Sequence, residues 1–329
     1  MKLADIARLA EVSVTTASYV INGQAAKRRI AAATVERVLA VVAQYDYRPD
    51  PQAAGLRSGQ SKCLGFILPD LENPSYARIA KLLEQGARAA GYQLLIASSD
   101  DNAQSERQLI ELFRSRRCDA LIVASCLAQD EPIFAQLIES GMPVIAVDRA
   151  LDAATIRSVV SDDQHAGAQL THTLLARKPR HIALIGGRAE LAISQARELG
   201  FRQAVAGSDA LVSVVNGEQF SRPCGEAQML RLINSEQGLP DAIVTTAYVL
   251  LEGVLDALQS VAPSRSQDLQ LATFGDTQLL DFLPWRVNTI AQQHQQIAEK
   301  VLYWALQAIE HNHYSPGIEA IARTLKVRQ

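Results

Sequence analysis

A chain of 329 residues is too long for one ordinary domain, is sufficient for two or three, and with 48% apolar residues can bury a sizeable core. No run approaches the about 18–20 uninterrupted apolar residues of a membrane span, and Met1-Lys2-Leu3-Ala4-Asp5-Ile6 lacks the cationic stretch and apolar core of a signal peptide, so a cytoplasmic protein is expected. The net charge of −3 is unevenly spread: Met1–Gly59 holds eight basic and five acidic residues, a local +3 that leaves −6 elsewhere, and a basic head suits contact with phosphate.

The head reads as three short helices. Leu3, Ile6, Ala7, Leu9 and Ala10 give the first an apolar face. Ser13 caps a second helix running through Ile21, its hydroxyl accepting the orphan N–H groups of the first turn, and Asn22-Gly23 ends it. Val35, Val38, Leu39 and Val42 recur at helical spacing and predict a third. Tyr47-Arg48-Pro49-Asp50-Pro51 stops that helix, and a short piece Gln52–Ser58 precedes a Gly59-Gln60-Ser61 link. After Lys62 the pattern becomes strand-then-helix. Apolar runs at Cys63–Leu68, Gln93–Ala97, Ala120–Ala124, Val144–Val147, His181–Ile185, Ala242–Thr245 and Leu269–Phe274 predict strands. Helical stretches such as Ala77–Ala90, Glu106–Arg114, Gly167–Ala176, Glu226–Ile233 and Leu250–Leu258 separate them. Continuous apolar strands spaced by helices imply parallel sheet buried on both faces. The expected fold is an all-α head followed by an α/β body of two Rossmann-like lobes with a cleft between them. The four cysteines, Cys63, Cys118, Cys126 and Cys224, lack metal-type pairing and read as reduced thiols; no metal or cofactor is expected.

Two helices joined by a tight turn, the second beginning Ser13-Val14-Thr15-Thr16, form helix-turn-helix spacing. In a major groove the second helix offers Ser13, Val14, Thr15 and Thr16, with Ser18, Tyr19 and Asn22 behind them, and Arg28 joins the DNA-contacting set. Hydroxyls can bond bases or phosphates, and Val14 or a Thr methyl can meet a thymine methyl. On spacing alone, an αα-hairpin used for packing is the alternative. The residues go further: Asp5-Ile6-Ala7, Ala10-Glu11-Val12-Ser13 and Thr16-Ala17-Ser18-Tyr19-Val20-Ile21-Asn22 closely resemble the head of the LacI family of repressors, and Thr15–Gly23 its fructose-repressor branch. The resemblance extends over the whole chain and implies a periplasmic-binding-protein-like body. Two departures stand out. Glu11 occupies the turn where the family has glycine, and a non-glycine residue in the left-handed region costs about 1 kcal/mol. Val14 stands where the branch has a basic residue, so that branch's arginine–guanine contact is not expected here and its operator is not carried over.

The resemblance also implies a hinge helix at Gln52-Ala53-Ala54-Gly55-Leu56-Arg57 that orders on DNA, Ala53 allowing close approach of a twin helix and Leu56 wedging into the minor groove. So short a helix needs an outside partner, because nucleation costs more than its few bonds return. The expected domains are therefore 1–48 for DNA reading, 49–61 for the hinge and 62–329 for effector binding and dimerisation. The last divides into lobe 1 (about 62–161 plus 292–322) and lobe 2 (about 162–291 plus 323–329).

Small molecules bind such bodies at strand C-termini in the cleft. Ser75, Asp148, Arg149, Arg197, Thr246, Asp276 and Gln292 follow or border strand ends and make up the expected effector set. Carboxylates accept from sugar hydroxyls and arginines grip phosphate bidentately, so a sugar or sugar phosphate is favoured. By resemblance, Arg197 and Asp276 match the family's effector-contacting positions, Asp148-Arg149 matches the fructose-repressor branch, and fructose 1-phosphate is the implied effector. Thr246-Ala247 replaces the family's usual Asn-Asp, against an ordinary pentose or purine ligand. The implied partners are a palindromic operator and a second copy of the chain, as dimer or tetramer.

Competing signals are weaker. A body of this kind alone could be a periplasmic sugar-binding protein, which the head opposes. Gly186-Gly187 is not a dinucleotide fingerprint, Ser194 lacks the nucleophile elbow, and no nucleophile, base and oxyanion set is readable, so an enzyme is not expected. His311 and His313 read as a solvated turn, and Asp162-Asp163 as a loop opening a helix from Gln164, with acids near its positive end.

Overall fold

In the computed structural model, residues 1–48, 60–261 and 269–328 are described, and the chain divides into two compact units, Met1–Lys62 and Cys63–Gln329. The predicted hinge residues Ala53 and Leu56 lie outside the described residues.

The first unit holds α1 (Leu3–Leu9), α2 (Val14–Ile21) and α3 (Ala32–Gln44). Ile6, Ala7, Ala10, Ala17, Val20 and Val38 form its buried centre. Its small size makes each tie count. The Ser13 hydroxyl accepts from the Thr16 N–H at 3.0 Å, the predicted cap. Glu11 has φ +51°, so the α1–α2 turn carries the expected left-handed residue without glycine. Arg37 on α3 donates to the Ala10 carbonyl at 3.0 Å, satisfying an orphan carbonyl at the end of α1. Two predicted core residues fall outside: Leu9 is 39% and Leu39 48% exposed. A three-helix core this narrow closes on one stripe of α3, and Val41 and Tyr47 pack against it beside the expected Val35 and Val42.

The second unit contains two six-stranded sheets. The first has the order β11-β5-β4-β3-β1-β2, from β1 (Cys63–Leu68), β2 (Gln93–Ser98), β3 (Ala120–Val123), β4 (Val144–Val147), β5 (Arg157–Ser161) and β11 (Gly317–Ile321), all parallel. The second has the order β12-β10-β9-β8-β6-β7, from β6 (His181–Gly187), β7 (Leu211–Gly217), β8 (Ala242–Thr245), β9 (Gln270–Phe274), β10 (Val287–Ala291) and β12 (Thr324–Lys326). Only β12 runs antiparallel.

Helices cover both faces of each sheet, which is why the central strands are apolar throughout. In the first lobe α4 (Pro74–Ala89) and α11 (His294–Glu310) bury Ile79, Leu83, Ile297 and Val301 against Leu64 and Phe66. On the other face α5 (Ala103–Ser115) and α6 (Pro132–Glu139) bring Phe113 and Phe134 onto Ile67 and Leu121. In the second lobe α7 (Asp163–Leu175) and α8 (Ala192–Val205) pack Leu170 and Phe201 on Ile182 and Leu184. There α9 (Arg222–Ile233) and α10 (Tyr248–Val261) pack Met229 and Leu251 on Ile185 and Ile243.

The chain crosses between the lobes three times: between β5 and α7, between β10 and α11, and between β11 and β12. The helices begin earlier than periodicity predicts. Asn73 caps α4, so Ser75 and Tyr76 stand on its first turn rather than in a loop. Ser194 and Arg197 likewise lie on α8. First turns are held by caps and carry polar side chains, so they leave no apolar period to read. Burial raises the thiols of Cys118 and Cys126 to about 12, which keeps them protonated.

Candidate functional site

On the first unit, α2 turns an exposed edge outward. Ser13, Val14, Thr15, Asn22 and Arg28 are exposed, and Thr16, Ser18 and Tyr19 are half-buried. Three hydroxyls are already engaged: Ser13 Oγ and Thr16 Oγ1 lie 2.8 Å apart, and Asn22 donates to Ser18 Oγ at 3.2 Å. Val14 and Thr15 are left as outward-facing groups at the start of the helix. The Arg28 guanidinium lies 4.6 Å from the centre of the Tyr19 ring, a cation–π contact that holds a positive charge beside α2.

In the second unit, a cavity of about 390 Å³ opens where the C-terminal ends of both sheets' strands meet. This lies within the size range of small-molecule sites. All seven residues expected from the sequence line it: Ser75 from α4; Asp148 and Arg149 after β4; Arg197 from α8; Thr246 after β8; Asp276 after β9; and Gln292 after β10. Other residues line it too, among them Tyr76, Asp101, His294 and Arg323. Asp101 follows β2 and obeys the same strand-end logic, so it was findable; Arg323 lies in the link between β11 and β12, where no such signal exists.

Asp148 is the cavity's central carboxylate. Tyr76 Oη donates to its Oδ2 at 2.7 Å, and Gln292 Nε2 donates to its Oδ1. Burial pushes this carboxyl up, but the guanidiniums of Arg197 and Arg323, the Tyr76 hydrogen bond and Arg149 outweigh that and hold it below the ordinary aspartate range. Its backbone is strained. Asp148 has φ +65°, and the Arg149 N–H reaches back across it to the Val147 carbonyl at 2.7 Å, closing a γ-turn of the rarer sign.

The hydrogen bonds run in one direction. Because Gln292 gives its amide N–H to Asp148, its Oε1 faces Ser75 and accepts from the Ser75 hydroxyl at 2.6 Å. The Ser75 oxygen can then only accept from His294 Nε2, at 2.9 Å. His294 therefore carries its proton on Nε2. Burial and the Arg323 guanidinium depress this imidazole to about 4, so it is neutral at neutral pH.

Arginines supply the opposite polarity. Arg149 grips Asp101 through both terminal nitrogens, one of them at 3.2 Å, and its Nη1 also donates to the Ser125 carbonyl at 3.3 Å. Burial opposes its charge, yet Tyr76, Asp101 and Asp148 outweigh that and raise its pKa. Arg197 donates through Nε to Asp163 at 3.0 Å and through Nη1 to the Thr246 carbonyl at 2.7 Å. Asp163 stands at the helix start as expected, as the first residue of α7, but is also only 5% exposed and paired with Arg197, which the sequence does not announce. Asp162 supplies the cap, accepting from His165. Asp276 is engaged too, by Thr289 Oγ1 at 3.0 Å and Arg328 at 2.6 Å.

Two buried cavity-wall atoms, Arg149 Nε and Thr246 Oγ1, have no hydrogen-bond partner among the described residues. Burying polar atoms unpaired costs about 1–3 kcal/mol each, so both have hydrogen-bonding capacity to spare in the cavity wall. Guanidiniums beside an ionised carboxylate suit a molecule bearing both an anionic group and hydroxyls. Among the described residues, no group of three or more His, Cys, Asp or Glu is placed to hold a metal, and no helix is long and apolar enough to cross a membrane.

Comparison with known proteins agrees with both parts. Residues 2–50 match the bacterial regulatory proteins of the lacI family, residues 61–247 the periplasmic binding proteins and sugar-binding domain of the LacI family, and residues 171–329 a periplasmic-binding-protein-like domain. The chain is 49% identical over 328 residues to the fructose operon regulatory protein of Vibrio cholerae, covering 100% of each. It is 41% identical to the catabolite repressor/activator of Escherichia coli K12, over 99% of this chain and 97% of that one. The solved Cra transcriptional dual regulator from Pseudomonas putida, in complex with fructose 1-phosphate, is 60% identical with a TM-score of 0.79, over 82% of this chain and 99% of that one. A helix-turn-helix head and a two-lobed sugar-binding body, matched along their whole length, place this chain in the LacI family of bacterial transcription regulators.

Proposed function

We propose that this protein is a sequence-specific regulator of carbohydrate metabolism that binds a palindromic operator as a homodimer in the cytoplasm and answers to fructose 1-phosphate. The observation that carries the reading is the cavity itself. Arg149, Arg197 and Arg323 converge on it, Asp148 stands ionised among them, and Thr246 Oγ1 waits unpaired. The guanidiniums suit the phosphate, and Asp148 and Asp276 suit the sugar hydroxyls. A relative that is 60% identical holds fructose 1-phosphate, which supports the same choice here. In this reading Ser13, Val14, Thr15, Thr16, Ser18, Tyr19, Asn22 and Arg28 meet DNA. A dimer follows from a twofold half-site arrangement. Effector and operator then alter each other's affinity by the same factor, whichever sign the coupling takes.

The test is fluorescence anisotropy of a labelled palindromic duplex, titrated with protein at two salt concentrations and then with fructose 1-phosphate, fructose and inorganic phosphate. Operator affinity is expected to fall with salt and to shift with fructose 1-phosphate alone. Arg197→Ala removes a charge-assisted contact and should raise the effector concentration needed roughly 10- to 100-fold. A variant that answers as the parent does would refute the effector site. Sedimentation on the same samples separates dimer from tetramer.

A further inference from the structure

Asp163 lies behind the cavity wall, does not line it, and has no part in the recognition set given above. It nevertheless meets two of the arginines that do. Arg197 Nε reaches Asp163 Oδ1 at 3.0 Å; Arg323 reaches the same oxygen through Nε and Nη2, each at 2.9 Å. All three side chains are less than a tenth exposed, and both guanidiniums lie over the Phe274 ring, at 4.7 and 5.3 Å from its centre. The bonds to Asp163 use the inner edges of both forks. The remaining N–H groups of Arg323, and those of Arg197 beyond its bond to Thr246, belong to cavity-lining residues.

The charges are unequal. Two guanidiniums share one carboxylate, which leaves this wall one positive charge in excess. Arg149 is matched separately by Asp101. Asp148, from the other lobe, has its oxygens on Tyr76 and Gln292 and forms no direct ion pair with Arg197 or Arg323. The cavity is thus bipolar, positive at Arg197 and Arg323 and negative at Asp148. Burial lowers the Arg323 pKa from its ordinary value, the mark of a cation incompletely compensated by its neighbours.

We propose that Asp163 is a specificity-determining residue acting through Arg197 and Arg323: by holding both on one oxygen it sets the wall's excess charge, and so the negative charge a ligand must bring. One excess charge disfavours an uncharged sugar and favours an anion, the more so the more charge it brings, as a phosphomonoester does with about −1.5 to −2 near neutral pH. The inference rests on the sugar-phosphate reading above. It also gives Asp163 and Arg323 a place in coupling, since they stand on the first and third crossovers between the lobes. A ligand that pulls on Arg323 pulls on the joint itself.

Calorimetric titration with fructose 1-phosphate and its isostere fructose 1-sulfate, a dianion and a monoanion of similar shape, tests this on the whole protein. Asp163→Asn should raise the preference for phosphate over sulfate by roughly tenfold, because the wall then carries one more unit of charge. Arg323→Gln should lower it, and Asp163→Glu should keep the parent's ratio. If Asp163 were only structural, its loss would weaken both ligands together; an unchanged ratio overturns the proposal. Should Asp163→Asn fail to fold, Arg323→Gln decides alone, an unchanged ratio again counting against it. A parent protein that binds neither ligand overturns both this inference and the effector reading; one that binds, with variants that leave the ratio unmoved, overturns the inference alone.

Discussion

Replacing Gly200 by alanine adds one methyl group where α7 and α8 are in backbone contact. A Cβ at Gly200 would stand 2.0 Å from the Gln164 carbonyl oxygen and 2.9 Å from the Ala168 nitrogen. Facing it, a Cβ at Gly167 would stand 2.7 Å from the Arg197 carbonyl oxygen. The helices must part by about 1.5 Å to admit the methyl in full comfort, since carbon contacts are comfortable only near 3.5 Å. That movement falls on the Arg197–Asp163 bond, 3.0 Å long and strung between the same two helices. Overpacking costs about 1–3 kcal/mol. Loss of the charge-assisted bond adds about 1.5–3 kcal/mol. Alanine's better helix propensity returns about 1 kcal/mol. The net destabilisation is about 1.5–5 kcal/mol, several degrees in Tm for a unit of this size. Differential scanning calorimetry measures the loss, and calorimetric titration should show fructose 1-phosphate affinity weakened at least tenfold, as expected when Arg197 is displaced. A variant with the parent's Tm or a higher one would mean that propensity outweighs packing, and that the close approach of α7 and α8 does not govern Arg197.

Two smaller perturbations probe other parts. His294 has a folded pKa of about 4 against about 6.5 when unfolded, so between these values the unfolded chain binds more protons and stability rises with pH. Its contribution is complete above pH ~6.5 and declines by at most about 3 kcal/mol towards pH ~4; urea midpoints across this range should depend less steeply on pH in His294→Gln, and parallel curves would remove His294 from the account. In the head, Ser13→Ala deletes the cap on Thr16 and should cost about 1 kcal/mol, seen as faster hydrogen exchange in α2 and weaker operator binding. Unchanged exchange would show that the cap is dispensable.

What the sequence revealed followed local rules. The Ser13 cap, the left-handed Glu11 and the continuous apolar strands β1, β3 and β4 each depend on neighbours a few positions away. Strand ends located Ser75, Asp148, Arg149, Arg197, Thr246, Asp276 and Gln292 on one cavity, since parallel sheets collect their C-terminal loops there. Non-local pairings were illegible. Asp163 reads as an acid at a helix start until α8 and the β11–β12 link bring Arg197 and Arg323 onto it. The edge strand β7 is only half-buried, and β10 carries Asn288 and Thr289, so neither presents a plain apolar run. Leu39 obeys the period of α3 and still faces solvent, because periodicity assigns a face and only packing decides how wide the core is.

The two strands at residues 317–326 have a consequence for how the protein is made. β11 completes the first sheet beside β5 and β12 completes the second beside β10, with Arg323 between them. A growing chain therefore leaves β5 and β10 as the edge strands of their sheets until this stretch emerges, and open edges recruit other chains. Domains made earlier fold earlier. The head needs nothing beyond its own first residues for its core, so a chain broken before residue 317 would keep a reader while lacking its sensor. Quality control on such fragments would then bear on gene expression as much as on solubility, because a reader without its sensor no longer answers to effector.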